Sequence, residues 1–249
     1  MAQSKIEWTE YSWNFATGCN KVSPGCKNCY AGTIAKRFWK NRKFTDVRVD
    51  RDKINLPYHL RKPRMIFVNS MSDLFHDKIT TNEIIDAFDV MANCDQHTYQ
   101  ILTKRPQRMY DILSEYMNWL PEAKHIWLGV SVENQKTANE RIPILLKTPA
   151  AVRWISAEPL LDEIKLRHLL TGRVVRQRND EFFIHNLNWV VVGGESGKNK
   201  RPFDLQWARS LRDECKEAPI PFFMKQVDKI QPIPEDLFIR EYPLSKETK

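Results

Sequence analysis

Trp13-Asn14-Phe15-Ala16-Thr17-Gly18-Cys19-Asn20-Lys21-Val22-Ser23-Pro24-Gly25-Cys26-Lys27-Asn28-Cys29-Tyr30 is the stretch on which the reading of this chain turns. Three cysteines fall within eleven residues, on a turn-rich loop that follows a short aromatic run with strand character. Gly18, Pro24 and Gly25 bend the backbone so that distant sulfurs can converge, and the two-residue gap between Cys26 and Cys29 lets both thiolates grip one metal centre. Three thiolates leave a fourth coordination position open.

Three chemistries compete for the loop. One is an iron–sulfur cluster held by Cys19, Cys26 and Cys29, with one iron free for an exchangeable ligand. A structural zinc site needs a fourth ligand, and the nearest histidines, His59 and His76, lie far along the chain. Disulfide bonding is disfavoured by the odd total of five cysteines and by a polar N-terminus that does not read as a secretory signal. Cys94 and Cys215 read as small buried residues within helices.

The 249 residues, 42% of them hydrophobic, can fill a core, and no apolar run reaches the length of a membrane span. The expected location is therefore the cytoplasm. A net charge of +8 favours an anionic partner, nucleic acid first among them. Residues 30–44 read as a basic helix, with Lys36, Arg37, Lys40, Arg42 and Lys43 on its polar side and end.

Beyond residue 64 short apolar runs recur at 65–68, 99–102, 126–130, 152–155, 189–192 and 221–224, each rich in β-branched or aromatic residues. Helical periodicity fills the gaps at 81–91, 106–116, 135–146 and 205–215. This alternation predicts an α/β fold, a parallel sheet of about six to seven strands, open or barrelled, with crossover helices. Residues 1–230 read as one domain with an insertion at about 171–188 that carries Arg173, Arg176 and Arg178, and 231–249 as a polar C-terminal tail. Parallel sheets place binding and catalysis at the C-terminal ends of their strands. Here those ends carry Ser70 and Asp73, Lys104 and Arg105, Ser131 and Glu133, Glu158, Glu195 and Lys225. Helix capping accounts for the Ser and Asp. It does not account for glutamates and lysines recurring at equivalent places.

Thr17-Gly18-Cys19, Ser23 to Tyr30, Ser70-Met71-Ser72-Asp73-Leu74-Phe75-His76, Thr103-Lys104-Arg105-Pro106, Glu158-Pro159-Leu160-Leu161, Gly193-Gly194-Glu195-Ser196-Gly197 and Phe222-Phe223-Met224-Lys225-Gln226 together resemble the phage gene-product thirty-seven/sixty-eight family. That family, of phages and bacteria, is similar to the radical S-adenosylmethionine enzymes. Two features depart from the common type of those enzymes: the cysteine gaps are six and two residues rather than three and two, and Asn28 replaces the usual aromatic.

The resemblance implies a TIM-barrel-like fold, a partial (β/α) barrel of about six to seven parallel strands, with a 4Fe-4S cluster on Cys19, Cys26 and Cys29, S-adenosylmethionine as cofactor, and an electron donor protein as partner. It places the chain in the cytoplasm of a bacterial or phage-infected cell. Ser70, Asp73, Lys104, Arg105, Ser131 and Glu133 are the expected cofactor-binding residues, and Glu158, Glu195 and Lys225 the expected catalytic ones. A cation across the strand ends (Lys104, Arg105 or Lys225) is expected to face Glu195. The alternative is a non-catalytic nucleic-acid-binding protein with structural zinc, its eight tryptophans stacking on bases.

Overall fold

The structure, a computed structural model, describes residues 1–170, 175–177, 180–182, 187–197 and 199–243. The fold is α/β, built on a mostly parallel sheet of eight strands, as the alternation implies. Two compact units divide the chain: Met1–Gly129 with Pro149–Ala151, and Val130–Thr148 with Val152–Lys249.

In the first unit β1 (Ala2–Gln3) pairs antiparallel with β2 (Tyr11–Trp13). The short β3 (Ala16–Thr17) precedes α1 (Tyr30–Phe38) and pairs antiparallel with β4 (Arg48–Val49). Next come β5 (Met65–Val68), α2 (Thr81–Asn93), β6 (Thr98–Thr103), α3 (Pro106–Tyr116) and β7 (Ile126–Ser131), whose last two residues belong to the second unit. β5 lies parallel between β2 and β6. The aromatic run before the cysteine loop thus forms two short strands, parted by Asn14 and Phe15. Trp13 is fully buried against Phe15 and Tyr99, and its indole N–H donates to the Lys53 carbonyl at 2.7 Å. Each such side chain contributes about 2–3 kcal/mol by leaving water.

α1 ends earlier than the basic run suggests. Trp39 turns extended, with ψ of 99°, and the Arg42 guanidinium lies 4.1 Å from its ring centre. Arg42 also donates to the carbonyls of Thr17 and Asp46, so the end of the run is a clasp on the chain before Cys19 rather than more helix.

In the second unit α4 (Gln135–Lys147) leads to β8 (Val152–Ala157) and the short α5 (Arg167–Leu170). β9 (Val175–Gln177) and β10 (Asp180–Phe182) pair antiparallel. Residues 171–174, 178–179 and 183–186 of the expected insertion, Arg173 and Arg178 included, lie outside the described residues, as do 244–249 of the expected tail. β11 (Trp189–Gly193), α6 (Leu205–Glu217) and β12 (Phe222–Gln226) complete the unit, with β11 parallel between β8 and β12. Trp189 packs on Trp154 and stacks on Tyr242, and Leu237 is fully buried, so residues 237–242 fold back onto the strands. None of the eight tryptophans is exposed; five are buried, which gives them to the core and takes them from the stacking role. Cys94 and Cys215 are buried as expected, and burial pushes the Cys215 thiol up to about 12. No helix among the described residues is long and apolar enough to cross a membrane.

Candidate functional site

The cysteine loop belongs to the first unit, and its root is fixed by backbone contacts. Gly18 sits at φ +98°, where a Cβ would come within 2.6 Å of the Asp46 carbonyl, so only glycine fits. Its N–H donates to Met71 O, and its carbonyl accepts from the Ser72 hydroxyl at 2.6 Å. Cys19 N–H donates to Phe44 O. Asn69, at φ 56°, turns its Oδ1 to the Ala16 N–H, and Asn14 bonds the Ser70 hydroxyl and the Met71 N–H. Neither asparagine was singled out by sequence reasoning. The only signal was asparagine's tolerance of left-handed backbone just past a strand.

The loop holds three half-buried thiols, and no cysteine of the chain is in a disulfide. Cys26 closes a one-turn helix begun by Pro24, with its Sγ 3.8 Å from the Ser23 hydroxyl. Cys29 occupies the N-cap position of α1, without a side-chain capping hydrogen bond. The Cys19 sulfur lies 3.7 Å from Arg105 Nη1. Burial and the Asp73 carboxylate raise the Cys19 pKa, while Arg105 pulls against them.

Arg105 is held by Asp73, a buried carboxylate with every acceptor position in use. Its Oδ1 accepts from Phe75 N–H and the Thr103 hydroxyl, and its Oδ2 from Lys104 N–H and Arg105 Nη1, at 2.7–3.0 Å. Burial opposes the Arg105 charge, but Asp73 and the Cys19 sulfur outweigh it and keep the guanidinium protonated. Of the expected residues, this unit therefore brings together Cys19, Asp73, Lys104 and Arg105, with Ser70 tied to Asn14 beside them. Among the described residues no group of three His, Cys, Asp or Glu is gathered to hold a metal ion.

The second unit carries the other expected residues as ion pairs at strand ends. Glu133 is 0% exposed and meets Arg141 at 3.3 Å, and the same Arg141 nitrogen donates to the carbonyl of buried Ser131 at 2.7 Å. Lys225 reaches Glu158 Oε1 at 2.8 Å, and the Ser156 hydroxyl donates to Glu158 Oε2 at 3.1 Å. That carboxylate lies over Gly193, where a Cβ would stand 2.7 Å from Oε1. Gly194 is closer still to its neighbour: its Cβ would fall 2.1 Å from the Val227 carbonyl. Glu195 accepts from both the backbone and the guanidinium of Arg201. In this unit the cation facing Glu195 is thus Arg201, and Lys225 is engaged by Glu158. Asp228 takes Lys200, whose hydrogen bond, with those from the Gln231 and Ile230 amides, holds its carboxyl far below the usual range. Arg141, Arg201, Lys200 and Asp228 went unnoticed in the sequence because each partner lies several residues or more away.

The chain is thus mostly parallel α/β, with three thiols on the loop after its first strands and paired acids and bases at later strand ends. It belongs to the DUF5131 family, described as a protein of unknown function, whose model matches residues 3–237. No curated protein matches the sequence. Among solved structures the fold is similar to a cysteine-to-serine mutant of spore photoproduct lyase, at 14% identity and a TM-score of 0.57, covering 90% of this chain and 78% of that one. It is also similar to "Spore photoproduct lyase complexed with dinucleoside spore photoproduct", at 14% identity and a TM-score of 0.52, covering 87% of this chain and 63% of the other.

Proposed function

We propose that this chain is an iron–sulfur enzyme of the radical S-adenosylmethionine type that modifies a nucleic acid, with Cys19, Cys26 and Cys29 holding a 4Fe-4S cluster. The observation that carries the reading is the set of donors on one loop: three half-buried thiols, no disulfide, and the Arg105 guanidinium against one sulfur. Soft sulfur donors suit iron–sulfur clusters, and N–H groups near the sulfurs are a recognised lever on them. Among the described residues, neither His59 nor His76 offers zinc its fourth ligand. His76 accepts the Lys78 N–H at Nδ1, which leaves the proton on Nε2, an enclosed atom not offered to a metal; His59 is exposed. The reading takes the resemblance to the phage gene-product family and DUF5131 membership as one lineage.

Bound there, the cluster and S-adenosylmethionine supply one-electron cleavage of the sulfonium bond, with the electron coming from a donor protein. The residues of the chain bind and orient. Asp73 is a positioning residue that fixes Arg105, and the Arg105 charge balances thiolate. Ser70 and Lys104 offer a hydroxyl and an ammonium to the cofactor. Ser131 and Glu133 are the proposed cofactor-binding residues of the second unit, where Arg141 pairs with Glu133. At the catalytic positions Lys225 Nζ is paired with Glu158 Oε1, and Arg201 with Glu195. A nucleotide substrate is supported by the net charge of +8 and by the related fold of a lyase complexed with a dinucleoside. Five free thiols suit the reducing interior of a cell.

The test is anaerobic purification followed by iron and sulfide analysis, then incubation with S-adenosylmethionine and dithionite. Iron, sulfide and released 5′-deoxyadenosine are expected. A colourless protein holding zinc overturns the reading.

A further inference from the structure

Helix α1 packs the wrong way round for an ordinary amphipathic helix. It buries only Ala31 and Ala35, while Tyr30, Ile34 and Phe38, four residues apart and so aligned along one side, are exposed. Phe38 is 65% exposed, and Val22 on the neighbouring cysteine loop is exposed as well. Charge is as one-sided as exposure. Residues 11–44 contain seven lysines and arginines and no aspartate or glutamate. Arg42 is engaged by the Thr17 and Asp46 carbonyls, but Lys36, Arg37 and Lys40 are exposed on or just beyond the helix. The Arg37 guanidinium stands 5.2 Å from the centre of the Phe38 ring, so a flat ring and a cation present themselves together.

We infer that α1 is a docking face for single-stranded nucleic acid, with bases stacking on Phe38 against Ile34 and phosphates meeting Arg37 and Lys40. Charge complementarity selects a polyanion. The exposed ring selects one with unstacked π-faces, since base–aromatic stacking tolerates any sequence and a duplex keeps its bases hidden. An acidic protein would satisfy the cations and gain nothing particular from Phe38. The inference shares with the function proposed above only the class of substrate and does not depend on the metal centre. A chain that holds no iron yet binds single strands through Phe38 ends the first reading and keeps this one.

Fluorescence anisotropy of the full chain with a short labelled single-stranded oligonucleotide, titrated over a range of salt, tests it. Phe38→Ala should weaken binding about tenfold without changing the salt slope, and Phe38→Trp should restore it. Arg37→Gln with Lys40→Gln should flatten the slope of log K against log salt by about 1.4, at about 0.7 per phosphate contact on a single strand. Since all three side chains are exposed, unchanged melting curves will show that the fold is intact. Absence of oligonucleotide binding at low salt, indifference to Phe38→Ala, equal affinity for duplex, or equal competition by polyglutamate would each overturn the inference; the last would make the face a site for acidic protein.

Discussion

The two units handle charge at their strand ends in opposite ways. In the first, one carboxylate, Asp73, gives all its acceptor positions to the chain and delivers Arg105 to a cysteine sulfur. In the second, each carboxylate keeps its own cation: Glu133 with Arg141, Glu158 with Lys225, Glu195 with Arg201. The first arrangement uses an acid to aim a positive charge. The second leaves acid–base pairs that a ligand can open, because exchanging one partner for another costs less than stripping a buried charge bare.

The sharpest way to break this contrast is to count iron. Cys19→Ala, Cys26→Ala and Cys29→Ala should each abolish bound iron, while Glu158→Gln, Glu195→Gln and Lys225→Met should leave it near the level of the unaltered chain. Loss of iron from Cys94→Ala or from a second-unit variant would show that the ligand set is wrong. Stability comes next. Asp73→Asn turns an acceptor into a donor facing the Lys104 N–H and the Arg105 guanidinium, so it should cost about 3 kcal/mol in denaturant unfolding. Glu158→Gln keeps an acceptor for Lys225 in a less enclosed site, and its cost should be about 1 kcal/mol. Equal costs would erase the distinction between a positioning acid and an exchangeable one.

How much of this the sequence disclosed depends on distance along the chain. β7 and β8 are buried at every position, so their apolar residues cluster and were readable at once, although β8 also buries Arg153 and Ser156. α3 begins at Pro106 where expected, since proline favours a first turn. The cysteine loop was visible because metal-type spacing is local. The end of α1 was hidden, because Arg42 leaves the helix for carbonyls at Thr17 and Asp46 that no periodicity reports. The choice of Arg201 over Lys225 for Glu195 was hidden too, since both are cations and only the fold ranks them. Phe38 shares a helical spacing with Ile34 that suggests burial, yet it is the most exposed residue of its face.

The adjacent glycines of the second unit sharpen the idea that its pairs can open. A methyl at Gly193 meets the far end of the Glu158 side chain, which can swing away, whereas a methyl at Gly194 meets the backbone carbonyl of Val227 and the Phe203 ring. Gly194→Ala should therefore cost about 3 kcal/mol and Gly193→Ala about 1 kcal/mol. Gly193→Ala should also displace Glu158 from Lys225 without altering either residue, which a crystal structure of the variant will show. An undisturbed ion pair there would mean that the strand end is rigid.

The smallest effect compares a helix cap in each unit. α2 starts with a capping box in which Thr80 accepts from Glu83 N–H and the Glu83 carboxylate accepts from Thr80; α4 starts with an uncharged one between Asn134 and Thr137. Burial works against the Glu83 charge, but the hydrogen bonds from Thr80 and the Arg51 guanidinium outweigh it, so its pKa lies below the ordinary value. A carboxylate whose pKa is lowered by folding adds stability above its unfolded pKa, and that stability is lost as pH falls through the folded one. Glu83→Gln should cost about 1 kcal/mol at neutral pH and progressively less as pH drops through the carboxylate range. Asn134→Ala should also cost about 1 kcal/mol, but by the same amount at every pH, because nothing in that cap titrates. Denaturant unfolding of both variants and the unaltered chain across that range reads the difference directly. A pH-independent loss for Glu83→Gln would mean that shape rather than charge holds the cap, and that the first unit's reliance on directed charge stops at the cysteine loop.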